Sequence, residues 1–262
     1  MTRIHPTAIV DPSAELAPDV TVGAYSVIGR GVSIGPGTTV AAHVAIEGPC
    51  RIGANNRIHP FASLGGAPQD KKYRGEPTTL EIGDGNTIRE YVTLNRGTVQ
   101  GNAVTRIGDD NWIMAYVHVA HDCVIGSHTI FANCTNLGGH VEIGDWVVLG
   151  GYTGVHQFCK LGAHVMTGVG SVVLHDVPPF VMVAGNTAQA HGINAEGLRR
   201  RGFDKADIER IRRAYRTLYR SGLTLEEARR ALFEQAASGG AGSEHIRKLA
   251  EFLERVTRGI VR

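Results

Sequence analysis

The chain has 262 residues, 42% of them hydrophobic and 20% charged, which excludes a disordered or collagen-like polymer. No run approaches the roughly 18 apolar residues of a membrane span, and Met1-Thr-Arg-Ile-His-Pro6 has no hydrophobic signal core, so a cytoplasmic protein is expected. The net charge of +2 gives no reason to expect a nucleic-acid partner, but it is unevenly spread. Residues 1–195 hold 11 Lys/Arg against 15 Asp/Glu, a net of −4, and residues 196–262 hold 16 against 10, a net of +6. The basic end is a candidate docking surface for an acidic partner.

From the N-terminus, an apolar residue recurs every six positions: Ile4, Val10, Leu16, Val22, Ile28, Ile34, Val40, Ile46, Ile52, Ile58 and Leu64. The register resumes at Ile82, Ile88 and Leu94, and again from Ile107 through Ile113, Val119, Ile125 and on to Leu161. A helix repeats near 3.6 residues and a flat strand every 2, so a period of six requires short strands joined by equivalent turns. Three such strands close a coil of 18 residues, and successive coils stack about 4.8 Å apart as a parallel β-helix over residues 4 to about 178. Two polar, glycine-rich stretches, 65–81 and 95–106, break the register and are expected to be loops ejected from the solenoid, where binding groups commonly sit.

After Pro178-Pro179 helical spacing takes over. Ile208, Ile211, Tyr215, Leu218 and Tyr219 mark one helix stopped by Gly222, Thr224-Leu-Glu-Glu227 is a capping box, and Gly239-Gly240 precedes a helix with Ile246, Leu249, Phe252 and Leu253. The expected organisation is therefore mainly β: a parallel β-helix over 1–190, then a small C-terminal α-helical domain over 191–262. Cys50, Cys123, Cys134 and Cys159 form no CxxC pair and read as reduced packing residues.

Within the coils, Ala115 to Gly126 holds the best catalytic candidate. His121 lies two residues past the inward Val119, where a side chain can face outward and a neutral imidazole can take a proton from a hydroxyl. Asp122 follows directly, but strand neighbours diverge, so it is not expected to orient His121. Stepping by 18 carries His121 to Gly139 and Gln157, Asp122 to His140, and Ala120 to Gly138 and His156. His121, His140, His156 and Gln157 should thus share one strip, with the Gly139 amide open to an oxyanion. His5, His43, His59, His128, His175 and His245 read as structural. His118-x-x-His121 has no motif-grade metal spacing, and no metal or cofactor is expected, zinc-dependent carbonic anhydrase of the same solenoid type being the competing chemistry.

Gln69-Asp-Lys-Lys-Tyr73, Asn95-Arg-Gly-Thr98, His118-Val-Ala-His-Asp-Cys123, Val155-His-Gln-Phe158 and Gly192-Ile-Asn-Ala-Glu-Gly-Leu-Arg-Arg-Arg-Gly-Phe203 together resemble the UDP-N-acetylglucosamine O-acyltransferases that begin lipid A biosynthesis in Gram-negative bacteria. The resemblance implies a left-handed helix and transfer of an (R)-3-hydroxyacyl chain from acyl carrier protein to the 3-hydroxyl of UDP-N-acetylglucosamine. It also implies a homotrimer with active sites between subunits, where the outward Trp112 and Trp146 would be partly covered. His121 matches the family's general base and Gly139 its oxyanion donor. His118 and His140 fall near the sugar, Asp70 and Lys72 in a loop contacting the nucleotide sugar, and Gln157, Asn194, Glu196, Arg200 and Arg201 on residues holding the uridine diphosphate. Asn95 departs from relatives that carry histidine there. Val169 matches a residue that measures the acyl tail; it lies 48 residues past His121, a little under three coils, which at roughly 13 Å of axial distance suits chains of about 10 to 12 carbons. The N-acyltransferase of the same pathway shares the solenoid but has an added N-terminal uridine-binding domain, which repeats beginning at Ile4 argue against. A non-catalytic trimeric scaffold is the alternative outside enzymes.

Overall fold

The structure is a computed structural model that describes residues 3–239 and 242–262. Most strands contain only two residues, because the chain must turn after every sixth. Among the described residues they align into three sheets of 11, 9 and 8 strands that form the faces of a left-handed triangular prism. Pairing is parallel and 18 residues apart through most of the coil, as in Arg3↔Thr21 and His118↔Asn136. The last strand, Gln189–Ile193, instead runs antiparallel to Val181–Ala184 and leads the chain out of the prism.

The six-residue column forms the core from Val22 onward, but each side buries a second residue two positions earlier. That second column mixes Val20, Val32 and Val44 with the polar Ser26, Thr38 and Asn56. Buried polar groups are tolerable only when paired. Here they ladder from coil to coil: the Asn86 backbone N–H and side-chain Nδ2 donate to Asn56 Oδ1 at 2.9 and 3.0 Å, and the Thr129 hydroxyl donates to Asn111 Oδ1 at 2.7 Å. The first coil departs from the expected core, since Ile4 remains 45% exposed and Val10 and Leu16 are half-buried with no coil above them.

Both register breaks are shorter than their sequence limits. Gly65, Gly66 and Thr79–Glu81 lie in strands Ser63–Gly66 and Thr79–Ile82, and Asn95 and Val104–Arg106 lie in Thr93–Asn95 and Val104–Ile107. The excursions proper are 67–78 and 96–103. They lengthen their coils from 18 to 30 and 25 residues, as Cys50↔Leu80 and Thr79↔Val104 show. Both leave the prism at the edge between the second and third sheets, in the two coils that precede His121.

Among the described residues four helices follow: α1 (Ala195–Arg200), α2 (Lys205–Arg220), α3 (Leu225–Ala237) and α4 (Ser243–Glu254). The Thr224–Glu227 capping box opens α3, and Gly222 takes a left-handed φ of 68° just after α2, where glycine has no Cβ penalty. The apolar residues read from the sequence are buried in α2 and α4, except that Tyr219 is only partly covered. The short α1 escaped the periodicity. Gly240 lies outside the described residues. Ile208, Ile211, Leu232 and Leu249 form a second core that Phe180 joins, while Tyr215 and Val261 pack into the solenoid core and lock the two parts together. None of the described helices is long and apolar enough to cross a membrane.

Candidate active site

His121 occupies the turn between His118–Val119 in the second sheet and Val124–Ile125 in the third. In a turn, unlike a strand, consecutive side chains need not diverge. Asp122 adopts a left-handed φ of 60°, a conformation Asp tolerates better than most residues, and this swings its carboxylate beneath its neighbour. Asp122 Oδ2 lies 2.8 Å from His121 Nδ1, so the expectation that Asp122 would not orient His121 is corrected. The carboxylate is fully enclosed and the imidazole mostly so.

That pairing fixes the chemistry of the ring. A carboxylate can only accept, so Nδ1 carries the hydrogen, and Nε2 is left as the bare lone pair that a general base needs. Burial of Asp122 opposes its ionisation, but donors from Thr98, His121 and Asn102 outweigh it and hold its carboxyl below the usual range. Apart from His121, the excursion 96–103 supplies them: Thr98 Oγ1 donates at 2.6 Å, Thr98 N–H at 3.1 Å and Asn102 N–H at 2.9 Å. The sequence offered Thr98 only as part of a resembling motif and gave Asn102 no role.

One coil on, Gly139 lies buried against the imidazole. A Cβ at this position would stand 2.6 Å from His121 Cε1 and 2.8 Å from Nε2, so only glycine admits the ring. Among the described residues nothing accepts from the Gly139 N–H, an unusual condition for a buried amide and one that suits an oxyanion. His140 packs edge-on to His121 with centroids 5.1 Å apart and stacks on Phe158 at 4.5 Å. Burial holds both His118 and His140 below the usual histidine range; proximity to His121 lowers each further, and Asp122 and Asp70 oppose this at His140. Asp70, in the first excursion, is thus brought to this edge, with Lys72 N–H donating to its Oδ1 at 2.9 Å. The Lys72 side chain is exposed. His118 Nδ1 meets Thr93 Oγ1 at 2.7 Å, and His156 and Gln157 are exposed on the same edge.

Asn95 is buried and donates to the Ala67 carbonyl at 3.1 Å, bracing the base of the first excursion. Beside it, Arg96 donates to the Gly65 carbonyl at 2.5 Å and to Tyr73 Oη at 3.2 Å, so one guanidinium ties both excursions to the prism.

The remaining residues lie on other edges. Asn194 is a buried N-cap: its Oδ1 accepts from Gly197 N–H at 3.1 Å, and its Nδ2 donates to the His164 carbonyl. Glu196 pairs with Arg199 and Arg200, and the Arg201 guanidinium sits 5.4 Å over the Trp146 ring. Asn194 and Arg201 thereby lie at the edge between the third and first sheets, with Glu196 and Arg200 between them on α1. Val169, 79% exposed, stands on the edge between the first and second, off the column of His121. A single chain therefore assembles the base and its neighbours, Gln157 among them, but leaves the other uridine diphosphate candidates and the chain-length candidate apart.

His121, Asp122 and His140 offer ligand atoms within 4.8 Å of one another, a candidate metal grouping. The donor set fits poorly, because Thr98, Asn102 and His121 already occupy the Asp122 oxygens. Cys50 and Cys123 are buried, and burial pushes both thiols up to about 12, so neither is a reactive thiolate.

Comparison with known proteins places the chain in a family. The family described as "Udp N-acetylglucosamine O-acyltransferase; Domain 2" matches residues 176–261, and "Bacterial transferase hexapeptide (six repeats)" matches residues 105–139. The acyl-(acyl-carrier-protein)–UDP-N-acetylglucosamine O-acyltransferase of Thiobacillus denitrificans is 59% identical over 262 residues, all of both chains, and that of Janthinobacterium sp. is 57% identical over the same span. The crystal structure of the UDP-N-acetylglucosamine O-acyltransferase from Moraxella catarrhalis superposes with a TM-score of 0.96 at 45% identity, covering 99% of each chain. With relatives this similar over its whole length, the chain belongs to the UDP-N-acetylglucosamine O-acyltransferase family.

Proposed function

We propose that this chain transfers a 3-hydroxyacyl group from acyl carrier protein to the 3-hydroxyl of UDP-N-acetylglucosamine, the first step of lipid A biosynthesis. The observation that carries this reading is the His121–Asp122 pair seated on Gly139. His121 Nε2 takes the proton of the sugar hydroxyl as its oxygen attacks the thioester carbonyl. The Gly139 N–H donates to the oxyanion that forms, Asp122 stabilises the imidazolium, and collapse expels the carrier thiolate, which takes the proton back from His121. Reactants alone supply the atoms and electrons, so no cofactor is needed.

His118 and His140, with Asp70 and Lys72 overhanging, suit the sugar, and His156 and Gln157 extend the same edge. Asn194, Glu196, Arg200 and Arg201 are assigned, with Gln157, to the uridine diphosphate, whose charge an arginine fork meets well. Their position on another edge supports a site shared between neighbouring copies of a homotrimer. So does the outward face of the first sheet: its later strands present Trp112, Ile130 and Met166, each more than a third exposed, whereas the third sheet carries the charged ladder Glu81–Arg106 and Glu142–Lys160. On this arrangement Val169 of a neighbour closes the acyl groove. The carrier docks on the basic helical end, where Arg210, Arg213 and Arg216 line a cavity of about 540 Å³. A cytoplasmic location fits two soluble substrates.

The test is mass spectrometry of the product formed from UDP-N-acetylglucosamine and mixed acyl carriers by wild type and His121→Ala. Wild type is expected to form the O-acyl sugar and the mutant none, with the melting temperature nearly unchanged. Wild-type turnover in His121→Ala would remove the general base from this scheme.

A further inference from the structure

The stretch 95–106 is the one sequence feature near the site to which the reaction scheme gives no task, and its contacts are unusually directed. Within 96–103 the backbone folds back on itself, Gly101 N–H and Ala103 N–H both donating to the Thr98 carbonyl at 3.1 and 3.0 Å. This points the Thr98 and Asn102 amides at one carboxylate, that of Asp122. Gly101 closes over the same group: a Cβ there would stand 2.4 Å from Asp122 Cγ, so the turn is shaped around the carboxylate. Thr98 is 1% exposed, and its hydroxyl has no alternative partner in water.

The partition of these donors matters most. Oδ1 accepts from Asn102 N–H, and the Thr98 N–H is shared between Oδ1 and Oδ2 at 3.1 Å from each. Oδ2 receives the Thr98 hydroxyl at 2.6 Å and also His121 Nδ1 at 2.8 Å. The hydroxyl and the imidazole therefore draw on one oxygen. A donor that takes part of that oxygen's charge reduces what remains to stabilise an imidazolium, and thereby limits how strongly His121 binds a proton.

Resting on the reading of His121 as general base, we propose that Thr98 is a positioning residue that sets the basicity of His121 through the shared Asp122 oxygen. The excursion is thus a cap that holds the carboxylate in place and moderates it. The ionised Asp122 is the group this cap would hold, and the depressed proton affinity of that carboxyl agrees. The other ionisable groups facing His121 are His118 on the strand that leads into its turn and His140 on the next coil, with Asp70 acting on His140 from the first excursion. None of them touches Oδ2 as closely as the Thr98 hydroxyl; His140 Nε2 stands 3.8 Å away.

The experiment is the pH dependence of kcat/KM for UDP-N-acetylglucosamine in wild type, Thr98→Val and Thr98→Ser. Valine keeps the volume and removes the donor, so Oδ2 becomes more basic and holds the imidazolium more tightly. The acid limb of the Thr98→Val profile is expected to move to higher pH by roughly half a unit or more, while the KM for the nucleotide sugar at the plateau stays within about twofold. Thr98→Ser keeps the hydroxyl and is expected to return the limb to the wild-type position. If Thr98→Val does not fold, Thr98→Cys, with a weak thiol donor of similar size, is read the same way and should give an intermediate shift. Identical acid limbs in wild type and in the donor-deficient variant would overturn the proposal even if kcat fell, because a merely structural role lowers activity without moving the limb. Loss of activity in His121→Ala alongside such unmoved limbs would leave the base in place and remove only Thr98 from its control.

Discussion

Gly139→Ala is the sharpest perturbation the geometry offers, because it adds one methyl group and aims it at the reacting ring. The new Cβ would lie 2.6 Å from His121 Cε1, where carbon atoms in contact ordinarily keep about 3.5–4.0 Å, so the ring must move by about 1 Å. Its bond to Asp122 Oδ2 is 2.8 Å long, and that displacement stretches it past about 3.5 Å, beyond a useful hydrogen bond. Misplacing a catalytic group by about 1 Å costs on the order of 100-fold in rate, or about 2.7 kcal/mol of barrier. The fold should barely respond. Gly139 is not among the residues with positive φ, and the equivalent turn positions one coil before and after are filled by His121 and Gln157, so the backbone there accepts side chains. The assay is turnover with both substrates saturating, beside a calorimetric melt of the same preparation. A variant turning over within about twofold of wild type would refute the assignment of Gly139 as the seat of the imidazole.

Acid should weaken the fold through His164, which burial, then Arg201, Lys248 and His245, hold down at about 3 against a reference of 6.5. Between those values the unfolded chain binds a proton that the folded chain refuses, so this stability is complete above pH 6.5 and is lost on acidification, by about 2 kcal/mol at pH 5. In His164→Phe, which keeps a ring between Trp146 and Phe180, the melting-temperature difference between pH 7 and pH 5 should shrink; an unchanged difference would clear His164. Charge reversal at Arg216 and Arg220 should raise the KM for the acyl carrier roughly tenfold, with a steep salt dependence, and leave the nucleotide-sugar KM within about twofold; equal effects on both would show that the carrier docks elsewhere. Val169→Gly should move the preferred donor from about 10–12 carbons towards longer chains without loss of stability, because a side chain 79% exposed in the single chain fills no core; an unchanged preference in a donor competition would end its role as ruler.

The solenoid was legible because its physics is periodic: one inward residue in six cannot be hidden by local variation, and an 18-residue step turns sequence into columns. The columns place Gly139 under His121 and His140 beside it. The second inward column was harder to see, since it is filled by Ser, Thr and Asn as readily as by Val. Those residues ordinarily signal a turn or a surface, and only stacking, in which Asn56 Oδ1 accepts from the Asn86 side chain and Asn86 Oδ1 from the Asn111 backbone N–H, makes them core. The short α1 was missed because six residues carry too little helical period, although Asn194 before Ala195-Glu-Gly is an N-cap signature.

The misreading of Asp122 shows where column reasoning stops. Alternation of side chains holds only while the backbone stays extended, and a three-sided coil must leave extended geometry three times per turn. At the edge between the second and third sheets, Asp122, His140 and Phe158 all take φ between 60° and 67°, so the edge projects side chains by left-handed turn geometry rather than by pleat. Sequence neighbours can then converge, as His121 and Asp122 do, and the two excursions that leave this same edge can fold down onto them. The faces of the prism, whose side chains alternate, supply core and contact surfaces. The proton-transfer pair needs two adjacent groups aimed at one point, and only an edge provides that without disturbing the columns of the core.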